Sequence, residues 1–192
     1  MYAALIDLEH PLHLVLDAVL SPEECARLVA RVEDAGPKVA PISLASGPVV
    51  HLDTRNNTRV MLDDPALASL LFERVRARVP GEMSGMRVVG ANERLRFYKY
   101  QVGQRFRRHY DGAFHRSDDE RSLLTFMVYL NEGFRGGETA MLDLGLTITP
   151  RTGRALLFQH HQLHEGCEVT QGTKYVVRSD VMYRRIGAAA GR

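Results

Sequence analysis

The chain has 192 residues, of which 45% are hydrophobic and 25% charged, a composition that suits one ordinary globular domain and excludes disorder, collagen and coiled coil. Its 25 Lys and Arg against 23 Asp and Glu leave a formal charge of +2, too balanced for a dedicated nucleic-acid binder. Two cysteines, Cys25 and Cys167, supply neither a disulfide framework nor a cysteine-based zinc site, and they suit a reducing compartment.

The first twenty residues are interrupted by Asp7, Glu9, His10, Pro11, His13 and Asp17, which breaks any secretory hydrophobic region. No apolar run reaches the roughly 18 residues a membrane-spanning helix needs, so a soluble, cytoplasmic protein with no membrane partner is expected. Ser21-Pro22-Glu23-Glu24 combines an N-cap serine, a proline at the first helical position and a glutamate three residues after the cap. It predicts a helix that ends at Gly36-Pro37 and packs Leu28, Val29 and Val32 on a core. Residues 37 to 60, rich in Pro, Gly, Ser, Asn and Thr, read as a long loop. Arg55, Asn56, Asn57 and Arg59 in it can touch a substrate, but a solvated polar loop is the commoner role for such residues. A second helix starts at Asp64-Pro65, carries Leu67, Leu70, Leu71, Val75 and Val79 at helical spacing, and stops at Pro80-Gly81.

From residue 87 the pattern changes to about eight short strands rich in β-branched and aromatic residues: 87–90, 93–101, 122–131, 138–143, 146–149, 154–159, 164–170 and 173–184. In 93–101, Leu95, Phe97 and Lys99 alternate with Arg96, Tyr98 and Tyr100, so one strand face can line a cavity. Many short strands predict an α+β domain: a jelly-roll barrel with the helices packed outside. The expected organisation is a single domain over 1–192, with helical support and loop over 1–86 and the β core over 87–185.

His109-Tyr110-Asp111 puts an imidazole and a carboxylate on one face of an extended segment, where they can share a metal. The motif alone is weak, and His51-Leu52-Asp53 is a second example, assigned to the long loop with a structural or solvated role. The first has company about fifty residues on, in Gln159-His160-His161-Gln162-Leu163-His164-Glu165-Gly166. Two histidines and one carboxylate that leave metal positions open are the arrangement of non-haem Fe(II) oxygenases. The segment 112–121 follows the motif directly and is highly charged, so it reads as a mobile loop and candidate lid, with His115 solvated. Arg105, Arg107 and Arg108 flank Phe106. Alternation divides that run between two strand faces, so a solvated edge is expected and not a nucleic-acid partner.

The chain resembles the 2-oxoglutarate and iron-dependent dioxygenases, in their prolyl 4-hydroxylase-like branch with a double-stranded β-helix fold. The resemblance begins at Leu20-Ser21-Pro22-Glu23-Glu24-Cys25. It continues through Tyr100-Gln101-Val102-Gly103-Gln104, His109-Tyr110-Asp111, Tyr129-Leu130-Asn131, Gly136-Gly137-Glu138-Thr139, His164-Glu165-Gly166 and Gly172-Thr173-Lys174-Tyr175. It implies that His109, Asp111 and His164 are the catalytic set and hold Fe(II). It also implies that Lys174 pairs with the distal carboxylate of 2-oxoglutarate, and that Tyr100 and Tyr129 line the cosubstrate pocket. The spacing selects His164 over His160 and His161, whose commoner roles are support behind the ligands or simple surface exposure.

A dianionic cosubstrate needs its far carboxylate neutralised in a dry cavity, which a strand lysine does. On a regular strand Arg178 and Asp180 share a face with Lys174, so Arg178 can grip 2-oxoglutarate or an acidic substrate group, or can pair with Asp180. The implied reaction is hydroxylation of an unactivated C–H bond with O2 and 2-oxoglutarate, releasing succinate and CO2, with ascorbate a candidate reductant. Ala140-Met141 replaces the family's Phe-Pro, and Tyr175 its frequent tryptophan, so the target is not fixed as a prolyl residue. A protein or peptide side chain is the first expectation, and a free amino acid or small metabolite the second. A metal-binding barrel without turnover, a sensor or a store, is the alternative of another class.

Overall fold

The computed structural model describes residues 11–44 and 47–187; residues 1–10, on which much of the signal-peptide reading rests, lie outside the described residues. Strand β1 (His13–Leu16) leads to helix α1 (Pro22–Asp34), which starts at the expected capping box. The Glu24 amide donates to the Ser21 hydroxyl at 3.3 Å, and the Ser21 amide donates to the Glu24 carboxylate at 2.8 Å. Four short strands follow, β2 (Lys38–Val39), β3 (Ile42–Leu44), β4 (Gly47–Val49) and β5 (Thr58–Asp63), before α2 (Pro65–Val75). Asp64 caps α2 by accepting from the Leu67 amide at 3.0 Å, and a 3-10 turn at Arg76–Arg78 extends it. The remaining strands are β6 (Glu82–Met83), β7 (Met86–Ala91), β8 (Arg94–Tyr100), β9 (Phe106–His109), β10 (Glu120–Tyr129), β11 (Arg135–Gly136), β12 (Thr139–Met141), β13 (Leu146–Ile148), β14 (Ala155–Gln159), β15 (His164–Gly166), β16 (Val169–Gln171) and β17 (Lys174–Arg185).

Two antiparallel sheets dominate. The large one runs β1-β14-β10-β17-β8-β5-β2, with β7 also on β17 and β6 on β7, and the small one runs β13-β12-β15-β9. From β8 onward the chain steps between them: β8 large, β9 small, β10 large, β12 and β13 small, β14 large, β15 small and β17 large. That alternation of two facing sheets is a jelly roll. The outer face of the large sheet packs Leu95, Phe97, Leu124, Phe126, Val177 and Val181 against Cys25, Leu28 and Val32 of α1 and Ala68, Leu71, Phe72 and Val75 of α2. Its inner face sets Tyr98, Tyr100, Tyr129, Leu156, Phe158 and Val176 toward Met141 and Ile148 of the small sheet. Period-two alternation along strands buried on both faces produces these two apolar layers.

Several expectations are corrected. The segment 37–60 is not one loop: it holds β2, β3, β4 and the start of β5, stretches of two or three residues each that are too short to show an apolar alternation. The N-terminal half supplies more than helices, since β1 pairs with β14 and β5 with β8. Leu70 is exposed, and Ala68 and Phe72 take the core face of α2 instead. Strand β9 is absent from the expected set because Arg107 and Arg108 point outward and leave too little apolar signal. The charged segment 112–121 ends in a buried residue: Glu120 opens β10 and receives Arg184 at 2.7 Å and Arg116 at 3.0 Å.

Candidate active site

The cavity between the sheets is lined by β8, β9, β10, β12, β14, β15 and β17. Pairing of β9 with β15 places His109 opposite His164, and the chain leaving β9 brings Asp111 into the same space. One ligand atom from each of the three lies within 4.8 Å of the others. Each histidine sits 3.6 Å from Asp111 through its Nε2, His109 to Oδ1 and His164 to Oδ2. Both rings also contact the carbonyl two residues back through Nδ1, His109 to Arg107 at 2.8 Å and His164 to Gln162 at 2.9 Å. An Nδ1–H donated to a carbonyl fixes the tautomer and turns the lone pair of Nε2 toward the cluster, as in metal-ligating histidines. Burial, reinforced by His164, holds His109 down to about 3, so its imidazole is neutral and free to ligate.

Asp111 is oriented from the large sheet. Arg178 Nη1 donates to Oδ1 and the Thr125 hydroxyl to Oδ2, both at 2.6 Å. Burial alone would raise this carboxyl; Arg178, His164 and His109 outweigh it and hold Asp111 well below the usual carboxylate range. Behind Thr125 stands His160, buried, with Nδ1 3.0 Å from the Thr125 hydroxyl and Nε2 2.7 Å from that of Ser122. Burial pushes it down to about 4, which leaves it a neutral support in a relay from Ser122 to Asp111. His161 is exposed. The other His-x-Asp pair lies apart from the cluster, with exposed His51 contacting Thr54.

Deeper in the cavity Lys174 is 2% exposed and donates to the Gly137 carbonyl at 2.5 Å. Its ammonium lies 5.0 Å from the Tyr100 ring and 5.5 Å from the Tyr129 ring. No carboxylate pairs with it among the described residues, and burial pushes it down to about 8. Gly136 and Gly137 shape this end. Both have φ near +70°, and a Cβ at Gly136 would lie 2.2 Å from the Glu168 carbonyl oxygen. Tyr100 lines the cavity and burial raises its phenol to about 12. Tyr129 stands behind Lys174 with its hydroxyl donating at 2.7 Å to Thr139, which does line the wall.

Arg178 also donates to Asp180 at 3.3 Å, so the ion pair foreseen between them is present, alongside the bond to Asp111. Asn131 ties the barrel together: its side chain accepts from the Tyr175 amide and donates to the Thr173 carbonyl, both at 2.7 Å. Met141, where the family's Phe-Pro falls, is buried in the inner layer, and Tyr175 donates to Glu33 of α1 at 2.8 Å.

Some wall residues were not singled out from sequence. Thr125 and Met127 of β10 and Phe158 of β14 line the cavity; their inward alternation within 122–131 and 154–159 was the available signal. Phe106 is stacked on His109 with ring centroids 3.5 Å apart. The solvated reading of residues 55–59 is corrected: Arg55 and Asn57 are buried, and Arg55 and Arg59 line an outer groove of about 620 Å³ that shares His109, Asp111 and Arg178 with the inner cavity. Their burial comes from Tyr98 and Phe106, distant in sequence. Burial would raise the Tyr98 phenol, but the charges of Arg55, Arg178 and Arg96 hold it below its ordinary value.

Residues 95–179, from β8 to β17, match the family described as 2OG-Fe(II) oxygenase superfamily. The chain is 24% identical over 196 residues to Prolyl 4-hydroxylase 1 of Arabidopsis thaliana, covering 86% of this chain and 66% of that relative. It therefore spans about two thirds of the relative's length. Among solved structures, a prolyl-4-hydroxylase of Pseudomonas putida matches with a TM-score of 0.64 at 20% identity, covering 96% of this chain and 100% of that one. A Trichoplax adhaerens prolyl hydroxylase, solved with a hypoxia inducible factor peptide fragment, matches with a TM-score of 0.69 at 18% identity over 88% of this chain and 82% of that one. At these identities the structural likeness supports the fold.

Proposed function

We propose that the protein is a 2-oxoglutarate- and Fe(II)-dependent hydroxylase. The carrying observation is the pairing of two unmet demands in one cavity: two imidazoles and a carboxylate converge at His109, His164 and Asp111, and a buried ammonium without an ion pair among the described residues waits at Lys174. An isolated buried cation is costly, and a ligand carboxylate removes the cost. The donor set of two imidazoles and one carboxylate on one side of a site suits Fe(II) with positions left open, so both groups fit. Met127, Phe158 and Val176 between the two ends give the apolar walls in which such charges interact strongly.

With both groups bound, O2 and 2-oxoglutarate convert R–H to R–OH, with succinate and CO2 as the other products. The chain's own residues position and shield. His109 and His164 present Nε2 because the carbonyls of Arg107 and Gln162 hold their Nδ1 atoms. Arg178 and Thr125 keep both Asp111 oxygens in place and the carboxylate ionised. Lys174 neutralises the distal carboxylate of 2-oxoglutarate, with Tyr100 beside it, while Tyr129 and Thr139 fix the wall around it. Tight packing of the inner layer excludes water from the reacting centre. No side chain is needed as a base.

The acceptor enters from the outer groove, which opens on His109 and Asp111. A protein or peptide side chain is the acceptor class that the named relatives favour, since one of them was solved on a peptide. None of the described helices is long and apolar enough to cross a membrane.

Anaerobic titration of Fe(II) and 2-oxoglutarate into the apoprotein should produce the weak visible charge-transfer band of the chelate. Asp111→Ala should abolish the band and Lys174→Ala should weaken it strongly. Iron binding with no band in the wild type would reject the hydroxylase and favour a metal-binding barrel without turnover.

A further inference from the structure

The outer groove carries a charge imbalance that the proposed chemistry leaves unused. Four guanidinium groups line it, from Arg55, Arg59, Arg96 and Arg178. Two of them face carboxylates: Arg96 meets Asp180 at 3.0 Å, and Arg178 meets Asp111 and Asp180. Asp111 is also a metal ligand in the reading above, so neither carboxylate is free to serve the remaining pair. Arg55 and Arg59 have no carboxylate partner among the described residues.

Arg55 is held in place as a ligand-binding group is. Only 4% of it is exposed, and its guanidinium carbon lies 4.5 Å from the Tyr98 ring centroid and 4.3 Å from that of Phe106. Its Nε donates to the Asn57 side chain at 2.8 Å, and Asn57, fully buried, donates in turn to the Thr58 carbonyl at 2.9 Å. The backbone on either side is tied to the start of β9: the Arg107 amide donates to the Thr54 carbonyl at 2.8 Å, and the Arg105 amide to the Asn56 side chain at 2.7 Å. Two rings and a side-chain amide thus fix the guanidinium, yet its Nη2 is buried with no hydrogen-bond partner. A buried donor left unsatisfied costs stability, and a preorganised charged donor beside a reaction centre is most simply explained by an anion that arrives with the substrate. Arg59, opposite Tyr98 in the pairing of β5 with β8, is half-buried and adds a second unpaired cation to the same wall.

We infer that Arg55 and Arg59 form a recognition site for a carboxylate carried by the acceptor substrate, next to the metal triad in the outer groove, whose lining does not include Lys174. Clamped between two rings, Arg55 offers its edge, which a flat two-oxygen group meets in plane. Cation–π contacts alone would account for the stacking but not for the unpartnered Nη2 or for Arg59. This assignment rests on the reading of the outer groove as the acceptor's entrance, and it makes the groove selective for acidic acceptors, whether an acidic peptide or a free acidic amino acid.

The test is anaerobic calorimetry on the Fe(II)- and 2-oxoglutarate-loaded protein with two matched pairs of probes: a blocked Glu-Pro-Glu peptide against Gln-Pro-Gln, and free glutamate against glutamine. At least one acid should bind tenfold or more tightly than its amide. That preference should fall below threefold in Arg59→Gln and in Arg55→Gln, while the chelate band persists in both. The pair that responds identifies a peptide or a free amino acid as the source of the carboxylate. The site is rejected if no acid outbinds its amide, or if the preference survives Arg59→Gln, a substitution at a half-buried position that does not depend on the fold tolerating loss of Arg55. Absence of the chelate band in the wild type rejects the hydroxylase reading instead; the acid-to-amide comparison on the metal-free protein still decides the Arg55 site.

Discussion

Along β10, Leu124, Phe126 and Val128 face the helices, whereas Thr125, Met127 and Tyr129 face the cavity. Along β17 the same division separates Val177 and Val181 from Lys174, Val176 and Arg178. The outer residues are apolar and closely packed; the inner ones include a cation with no ion pair and a guanidinium with an unpartnered Nε. One backbone thus supports two opposite solutions. Stability is concentrated on the helix side, and that surplus lets the cavity side keep polar groups whose partners are ligands. The division can be broken at its strong side first. Phe126→Ala should lower the free energy of unfolding by about 3–5 kcal/mol, the range for a large buried side chain, read from urea denaturation. The chelate band per folded molecule should be unchanged. A comparable loss of 2-oxoglutarate affinity would show that the two faces are not separable.

On the other face the expected pattern reverses. Lys174→Met should weaken 2-oxoglutarate binding about a hundredfold, as removal of one partner from a buried charge pair does. The unfolding free energy should stay within about 1 kcal/mol of wild type: relief from burying an ammonium offsets the orphaned Gly137 carbonyl. Titration of 2-oxoglutarate and urea denaturation of the same variant check both halves. A large loss of stability would mean that Lys174 is a structural residue and not a cosubstrate anchor.

The two faces also differed in how far the sequence revealed them. Apolar alternation located the strands that pack under the helices, and the capping box at Ser21 and the Asp64-Pro65 entry located the helices, because those signals are local. The cavity side mixes polar residues into an apolar layer, so alternation shows which residues face inward but does not tell Thr125 or Lys174 from a solvated residue. The convergence of His109, Asp111 and His164 was legible through their spacing and through family resemblance. Arg55 and Asn57 were noted as able to touch a substrate, but their burial was not legible: Arg-Asn-Asn-Thr-Arg is the composition of an exposed loop, and only pairing with β9 and contact with Tyr98 bury Arg55. Strand β9 was hidden for a related reason, since Phe106 and His109 face inward while the two arginines between them face out.

The smallest expected effect is also the one that separates the two roles of Lys174 most cleanly. Burial lowers its pKa to about 8 from 10.5. In the free protein the ammonium therefore begins to lose its proton near pH 8, whereas the unfolded chain keeps it to about 10.4. Only the protonated form neutralises a carboxylate, so 2-oxoglutarate affinity should be level below pH 8 and fall by up to about tenfold per unit above it. Stability moves the other way. Between pH 8 and 10 the unfolded state binds more protons at this position than the folded state, so the contribution of Lys174 to stability rises with pH, by at most about 1.4 kcal/mol per unit. Cys25, Tyr100, Tyr129 and Tyr183, whose folded pKa values are raised, oppose that rise above pH 9. The difference between wild type and Lys174→Met removes their contribution and isolates the lysine. If affinity and this stability difference shift in opposite directions over pH 8 to 9.5, the ammonium is held unpaired for a ligand; if neither depends on pH, Lys174 already has its counter-charge within the fold.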